Sequence, residues 1–171
     1  MTSQKEQALD VEGIRKELGA EAAQPSRFTP FTLKDLYEQT FPPARWLAKD
    51  LIPLGGITAL TGEPASYKTF LMQHLAACVA HGEPFLGHFK VEKGNVLVVD
   101  EENRKRQIRE RYEAMDVPTT SGVLFLSETG LKIDNEDDMD ELLKIAEIVR
   151  PTLIILDSFV RLHSGEENSA T

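Results

Sequence analysis

Beyond Pro53 the chain alternates short apolar strands with helical stretches, which predicts an α/β domain built on a mainly parallel sheet. Two further observations support that class. The run from Asn95 to Asp100 (NVLVVD) is uniformly apolar before its last residue, as expected of a parallel strand covered on both faces. The 171 residues are 41% hydrophobic, enough for one globular core. The longest apolar runs, such as Thr152 to Leu156, fall far short of the roughly 20 residues that a membrane span requires.

Each element follows from its local pattern. Residues 1–26 are charged, rich in Ala, Gln and Glu and free of aromatics; Leu9, Ile14 and Leu18 line one side of a frayed helix, and the stretch reads as a flexible leader. Residues 27–53 concentrate Phe28, Phe31, Leu33, Leu36, Tyr37, Phe41, Trp46 and Leu47 around the Pro42-Pro43 break. That composition marks a segment packing onto something else, with Phe41 and Trp46 set against the core or a neighbouring subunit. Residues 54–171 form the main domain. Ile57 to Thr61 reads as a buried strand, and Lys68 to His81 as a helix on which Leu71, Leu75, Cys78 and Val79 recur at helical spacing. Asn95 to Asp100 is the second strand. Arg104 to Met115 is helical, with Ile108, Tyr112 and Met115 on one side, and Val123 to Leu126 is a third strand. Asn135 caps the next helix, Glu136, Asp137 and Asp138 suit its positive end, and Met139, Leu142, Leu143, Ala146 and Val149 form its buried stripe. Pro151 stops it before a fourth strand, Thr152 to Asp157.

Charge and cysteine content narrow the function classes. A net charge of −9 argues against a stand-alone nucleic-acid binder, since phosphate backbones are held by clustered Lys and Arg. The run Arg104, Lys105, Arg106, Arg109 and Arg111 reads as the solvated face of a helix. A single cysteine, Cys78, excludes a disulfide within the chain, and the N-terminus lacks the apolar centre of a secretory signal, so a cytoplasmic location is expected. His74, His81 and His88 show no metal-ligand clustering with Cys78, and the acidic stretch Asp134 to Glu141 suits helix capping better than a calcium loop.

The chemistry starts where the first strand meets its helix. Gly62 to Thr69 reads GEPASYKT against the phosphate-loop pattern GxxxxGK[ST], with Tyr67 where the second glycine would stand. Such a loop turns backbone N–H groups inward around phosphates, the helix N-terminus adds positive potential, and a lysine reaches the terminal phosphates. Gly62, Lys68 and Thr69 meet that demand, whereas a Cβ at Tyr67 restricts the backbone. The strand TLIILDS ends in Asp157, the arrangement that sets a carboxylate beside the loop to hold a Mg²⁺ shell. Together these two elements indicate a nucleoside triphosphate site. Asp100-Glu101-Glu102 ends the second strand, in the crevice where ligands of parallel sheets bind; taken alone it reads as a solvated acidic strand end followed by a cap at Asn103.

The run from Phe41 to Phe89, then VLVVDEEN, then LIILDSFVRLHSGEENSA, resembles the RecA-like P-loop ATPases of the AAA type, in particular the group around the hexameric plasmid replicative helicase RepA. The resemblance covers about residues 28–171. It implies ATP and Mg²⁺ as ligands, with Gly62, Glu63, Pro64, Ala65, Ser66, Tyr67, Lys68 and Thr69 around the phosphates, Thr69 and Asp157 at the metal, and Lys68 and Glu102 in catalysis. It places Arg111 on the nucleotide side and matches Arg161, His163 and Asn168 to a recurring pattern whose plain reading is a polar loop. It further implies a RecA-like sheet with one more strand between the phosphate-loop strand and the aspartate strand. The sequence stops at Thr171, before that strand, so the expectation is a truncated domain that hydrolyses ATP poorly alone. The implied role is a helicase-like ATPase of DNA replication, recombination or repair, working as a homo-oligomer such as a hexamer, with DNA as partner and no membrane. A nucleotide-binding regulatory module without turnover is the alternative; a small-molecule kinase lacks a recognisable acceptor pocket.

Overall fold

A computed structural model describes residues 10–17 and 29–165. Leu9, Leu18, Phe28 and Asn168, and most of the expected leader, lie outside the described residues. The chain divides into two compact units, Met1–Pro43 and Ala44–Thr171.

In the first unit, helices α1 (Val11–Glu17) and α2 (Leu33–Glu38) are short. Thr32 and Asp35 close a capping box at the start of α2: the Thr32 hydroxyl accepts from the Asp35 N–H at 3.1 Å, and the Asp35 carboxylate accepts from the Thr32 N–H at 2.7 Å. Arg15 ties α1 to this cap, donating to the Pro30 carbonyl at 2.7 Å and to Asp35 at 2.5 Å. The Thr32 N–H and then the Arg15 guanidinium hold the Asp35 carboxyl down at about 2. Helix α2 buries no residue, and Phe31, Leu33, Tyr37 and Phe41 are exposed.

The second unit opens with an antiparallel hairpin, β1 (Trp46–Ala48) and β2 (Ile52–Pro53), whose Leu47 and Ala48 are buried. The sheet proper consists of β3 (Val96–Asp100), β4 (Val123–Ser127) and β5 (Leu153–Asp157), all parallel, in the order β4-β3-β5. Val96 pairs with Val123 on one side and Leu153 on the other, and the register runs unbroken to Asp100, opposite Ser127 and Asp157. Every residue of β3 is buried, and its side chains alternate between two cores. Val96 and Val98 join Ile155 and the Leu75, Ala76 and Val79 face of α3 (Lys68–His81). Leu97 and Val99 join Leu131, Leu162 and the Leu142 face of α5 (Glu136–Val149). That two-sided burial is why the NVLVVD run shows no polar alternation.

The helices keep the expected spans, but of the stripe expected on α5 only Leu142 is fully buried, and Leu143 is exposed because it turns away from the core that Leu142 enters. Helix α3 ends at Gly82, whose φ of 79° takes the left-handed cap that lets its N–H reach the Cys78 carbonyl at 2.7 Å. Helix α4 (Lys105–Ala114) buries Ile108, and α5 is capped by the Asn135 side chain on the Asp137 and Asp138 N–H groups. At the foot of the sheet a Cβ on Gly94 would lie 1.8 Å from the Thr152 hydroxyl, so β3 and β5 enter the sheet in close contact there.

One expected strand does not form. Ile57 to Thr61 is irregular, with Ile57 99% exposed and Leu60 43% exposed, where a buried strand is expected. A strand needs a hydrogen-bonded neighbour, and among the described residues none lies beside this segment: the edge of β5 opposite β3 is unpaired, and Ile154 and Leu156 on β5 are partly exposed.

Candidate functional site

The loop Gly62–Thr69 wraps the N-terminus of α3. Lys68, the first residue of that helix, folds back over the loop: its Nζ donates to the carbonyls of Gly62 at 2.9 Å and Glu63 at 2.8 Å, and lies 3.4 Å from the Ser66 hydroxyl. The ammonium is thus held where the loop closes. An added Cβ on Gly62 would sit 3.1 Å from the Ser66 Oγ, a tight contact that the serine side chain would have to relieve. The turn bends through two left-handed residues, Ala65 at φ 61° and Tyr67 at φ 62°. Tyr67 is therefore in the conformation that a glycine at this position would supply, and its ring escapes outward, 75% exposed. Glu63, Pro64, Ala65, Ser66 and Tyr67 are all exposed around the loop.

The other half of the site comes from the C-terminal ends of β3 and β5. The Thr69 hydroxyl, on the second residue of α3, favours the charged form of the Asp157 carboxyl, which places the loop beside the end of the aspartate strand. Burial pushes the Asp157 carboxyl up; the Thr69 hydroxyl opposes this, Asp100 and Glu102 add to it, and Arg111 opposes it. A cation placed here would relieve that repulsion. Asp100 is 1% exposed and accepts from the backbone N–H groups of Glu102 at 3.0 Å and Asn103 at 2.7 Å, and from the Asn103 amide at 3.1 Å. Glu101 turns away to clamp the next loop, accepting from the Thr129 hydroxyl at 2.5 Å and the Gly130 N–H at 3.0 Å. Of the three acids only Glu102 is exposed, and its charge reaches Asp157.

Arg111 on α4 completes the arrangement. Its guanidinium carbon lies 4.5 Å from the centroid of the Phe70 ring, and Phe70 stands one residue beyond Thr69. One guanidinium nitrogen, Nη1, is buried with no hydrogen-bond partner among the described residues. A charged donor left unpaired in this way requires an explanation, and an anionic ligand beside the loop supplies one. The residues also fit a Mg²⁺ ion: Thr69 and Asp157 offer oxygen ligands, while among the described residues no three His, Cys, Asp or Glu converge on one metal position. Phosphate oxygens and water would make up the remainder of the shell, as Mg²⁺ prefers.

The structure thus brings Gly62, Ser66, Lys68, Thr69, Asp157, Glu102 and Arg111 into one neighbourhood. It sends Arg161 and His163 elsewhere, to the loop before α5, where the Arg161 carbonyl accepts from Lys132 and His163 lies 3.9 Å from Asp134. Two contributors were not anticipated. Asn103 is expected to cap a helix but is buried as the anchor of Asp100; Arg104 takes the cap position instead. Phe70 carries no polar signal, and its role emerges only once α3 and α4 are side by side.

A parallel sheet with a lysine-threonine loop at a helix N-terminus and an aspartate at the neighbouring strand end defines the P-loop class of nucleotide-binding domains. The chain matches the AAA domain family over residues 22–171 and belongs to it, a family of P-loop ATPase domains that generally bind ATP with Mg²⁺. No curated protein matches the chain. Among the described residues no helix is long and apolar enough to cross a membrane.

Proposed function

We propose that this chain binds Mg-ATP in the Gly62–Thr69 loop and hydrolyses it slowly, as a RecA-like ATPase domain. The observation that carries the proposal is the junction of two motifs distant in sequence: Lys68 closes the loop on the Gly62 carbonyl, and Thr69 beside it acts on the Asp157 carboxyl at the end of β5. Lys68 would exchange the Gly62 and Glu63 carbonyls for phosphate oxygens, and Arg111 would give its unpaired nitrogen to the same ligand. Mg²⁺, when bound, supplies charge neutralisation at the phosphates. Glu102 stands exposed at the strand end, free to orient a water molecule and take its proton. With Ile57–Thr61 unpaired on the N-terminal side of the loop, binding is the firmer expectation and turnover the slower one.

The test pairs binding of a fluorescent ATP analogue with phosphate release. Lys68→Ala should weaken binding at least about tenfold, the loss of one charge-assisted contact. Glu102→Gln should leave binding within about threefold and remove phosphate release above background. Release unchanged by Glu102→Gln would reject that residue as the base. Tyr67, which fills the glycine position, favours a second reading, a nucleotide-binding regulatory module; binding with no release in any variant would select it. We further propose, from the likeness of its motifs to the RepA-type helicases, a cytoplasmic role on DNA as a homo-oligomer. Stimulation of phosphate release by single-stranded DNA would support that role, and indifference to DNA would remove it.

A further inference from the structure

Helix α4 packs beside the edge strand β4 and leaves a groove of about 530 Å³ between them. Its helical wall is formed by Lys105, Ile108, Arg109 and Tyr112, at spacings of three and four residues, and its strand wall includes Phe125 and Ser127, two apart. The groove-facing stripe of a helix that covers a sheet is ordinarily apolar, yet two of these four positions carry cations. Lys105 is exposed and, among the described residues, has no ion pair or hydrogen bond, and the side chain of Arg109, bonded to Glu113 at 2.7 Å, is 76% exposed. Tyr112 stacks edge-on against Phe125, with centroids 5.2 Å apart, and Phe125 remains 38% exposed.

Among the described residues no strand pairs with the edge of β4 that faces away from β3. In the ladder between β3 and β4 the Val96 N–H donates to the Gly122 carbonyl. Parallel pairing continues in steps of two, so the N–H and C=O groups of Phe125 and Ser127 point away from β3, toward the open edge. The groove has a direction: the Ser127 hydroxyl bonds to the Asn103 carbonyl just before α4, while Tyr112 near the far end of α4 meets Phe125. Its apolar end lies by Phe125 and its cationic end by Ser127 and Lys105.

We propose that this groove is the docking site of an extended peptide segment that adds to the open edge of β4, with apolar side chains toward Phe125 and Tyr112 and acidic side chains toward Lys105 and Arg109. Main-chain pairing supplies affinity in this mode, and alternate side chains supply selection. On a chain of net charge −9, a local cationic rim selects an acidic partner by charge complementarity. The occupant is a protein strand rather than a nucleic acid, because the open edge offers backbone donors and acceptors that a base or phosphate cannot use in register.

The test uses the full chain and two fluorescent octapeptides, Thr-Val-Thr-Val-Thr-Glu-Thr-Glu and its reverse, which present the same side chains to the groove in parallel or antiparallel pairing. One of them should bind with slowed amide exchange at Phe125 and Ser127. Lys105→Glu, at an exposed position, should weaken that binding about tenfold, as should lysine in place of both peptide glutamates. N-methylation of alternate peptide nitrogens on the pairing edge should abolish it. Failure of both peptides at millimolar concentration, indifference to N-methylation or to Lys105→Glu, or tighter Lys105-dependent binding of an eight-thymidine oligonucleotide would each overturn the proposal.

Discussion

Tyr67 provides the sharpest test of how the loop is built. Its φ of 62° and ψ of 20° put a bulky side chain in the left-handed region, which costs a non-glycine residue about 1–2 kcal/mol. Tyr67→Gly releases that cost. It also gives the unfolded chain more freedom, worth about 0.5–1 kcal/mol in the opposite direction. The lost ring contributes little, because it is 75% exposed and makes one tilted contact with Phe70 at 6.0 Å. The net expectation for Tyr67→Gly is a stability between unchanged and about 1 kcal/mol higher. Tyr67→Ala keeps the left-handed backbone while losing the ring, so it should fall about 1 kcal/mol below the glycine variant, with Tyr67→Asn between them. For a chain of this size that gap is about 2–5 °C in Tm. Circular-dichroism melts of the four proteins in one buffer provide the comparison. An alanine variant as stable as the glycine variant would refute the assigned backbone, and with it the claim that tyrosine occupies a glycine conformation in the loop.

Three further outcomes follow from the same geometry. Asp157→Asn should raise the Tm of the metal-free chain at neutral pH: burial makes the folded carboxyl harder to ionise, so the wild type loses stability as pH rises from the unfolded value of 3.8 through the raised folded one. The advantage of the asparagine variant should close on acidification, and a gap that ignores pH would contradict the burial argument. Gly94→Ala should cost about 2 kcal/mol or more in denaturant melts, since its Cβ would overlap the Thr152 side chain at the foot of the sheet, and a neutral result would mean β3 and β5 are not in that contact. The Asp35 carboxyl should titrate near about 2 by NMR and rise in Arg15→Gln; its contribution to helix capping is then present above pH about 4 and lost as the pH falls toward 2.

The sheet and its helices were legible because each has a strong local signature. The doubly apolar NVLVVD run, the Asn135 cap followed by three acids, and the helix from Lys68 to His81 all formed where the pattern placed them. Ile57–Thr61 has the composition of a strand but not the structure, because composition records what a segment suits and pairing depends on a neighbour. The hairpin of Trp46–Ala48 and Ile52–Pro53 was hidden for the opposite reason: five residues are too few to show an alternation. At the site, Gly62, Lys68, Thr69 and Asp157 could be read from motif spacing, whereas Glu102 and Arg111 were implied only by the family resemblance; the charges of both reach Asp157. Phe70 and Asn103 could not, since one acts through the face of its ring and the other through burial, neither of which leaves a spacing signal.

The central claim is that Gly62–Thr69 is an ATP site, and a thermal melt with and without Mg-ATP tests it most directly. At a hundredfold excess over Kd, a ligand that binds only the folded chain adds about 2.7 kcal/mol, a rise of several degrees. That rise is expected in the unmutated chain and is lost in Lys68→Ala, where no ammonium closes the loop. A cooperative transition that ignores Mg-ATP, or one raised equally in Lys68→Ala, would contradict it.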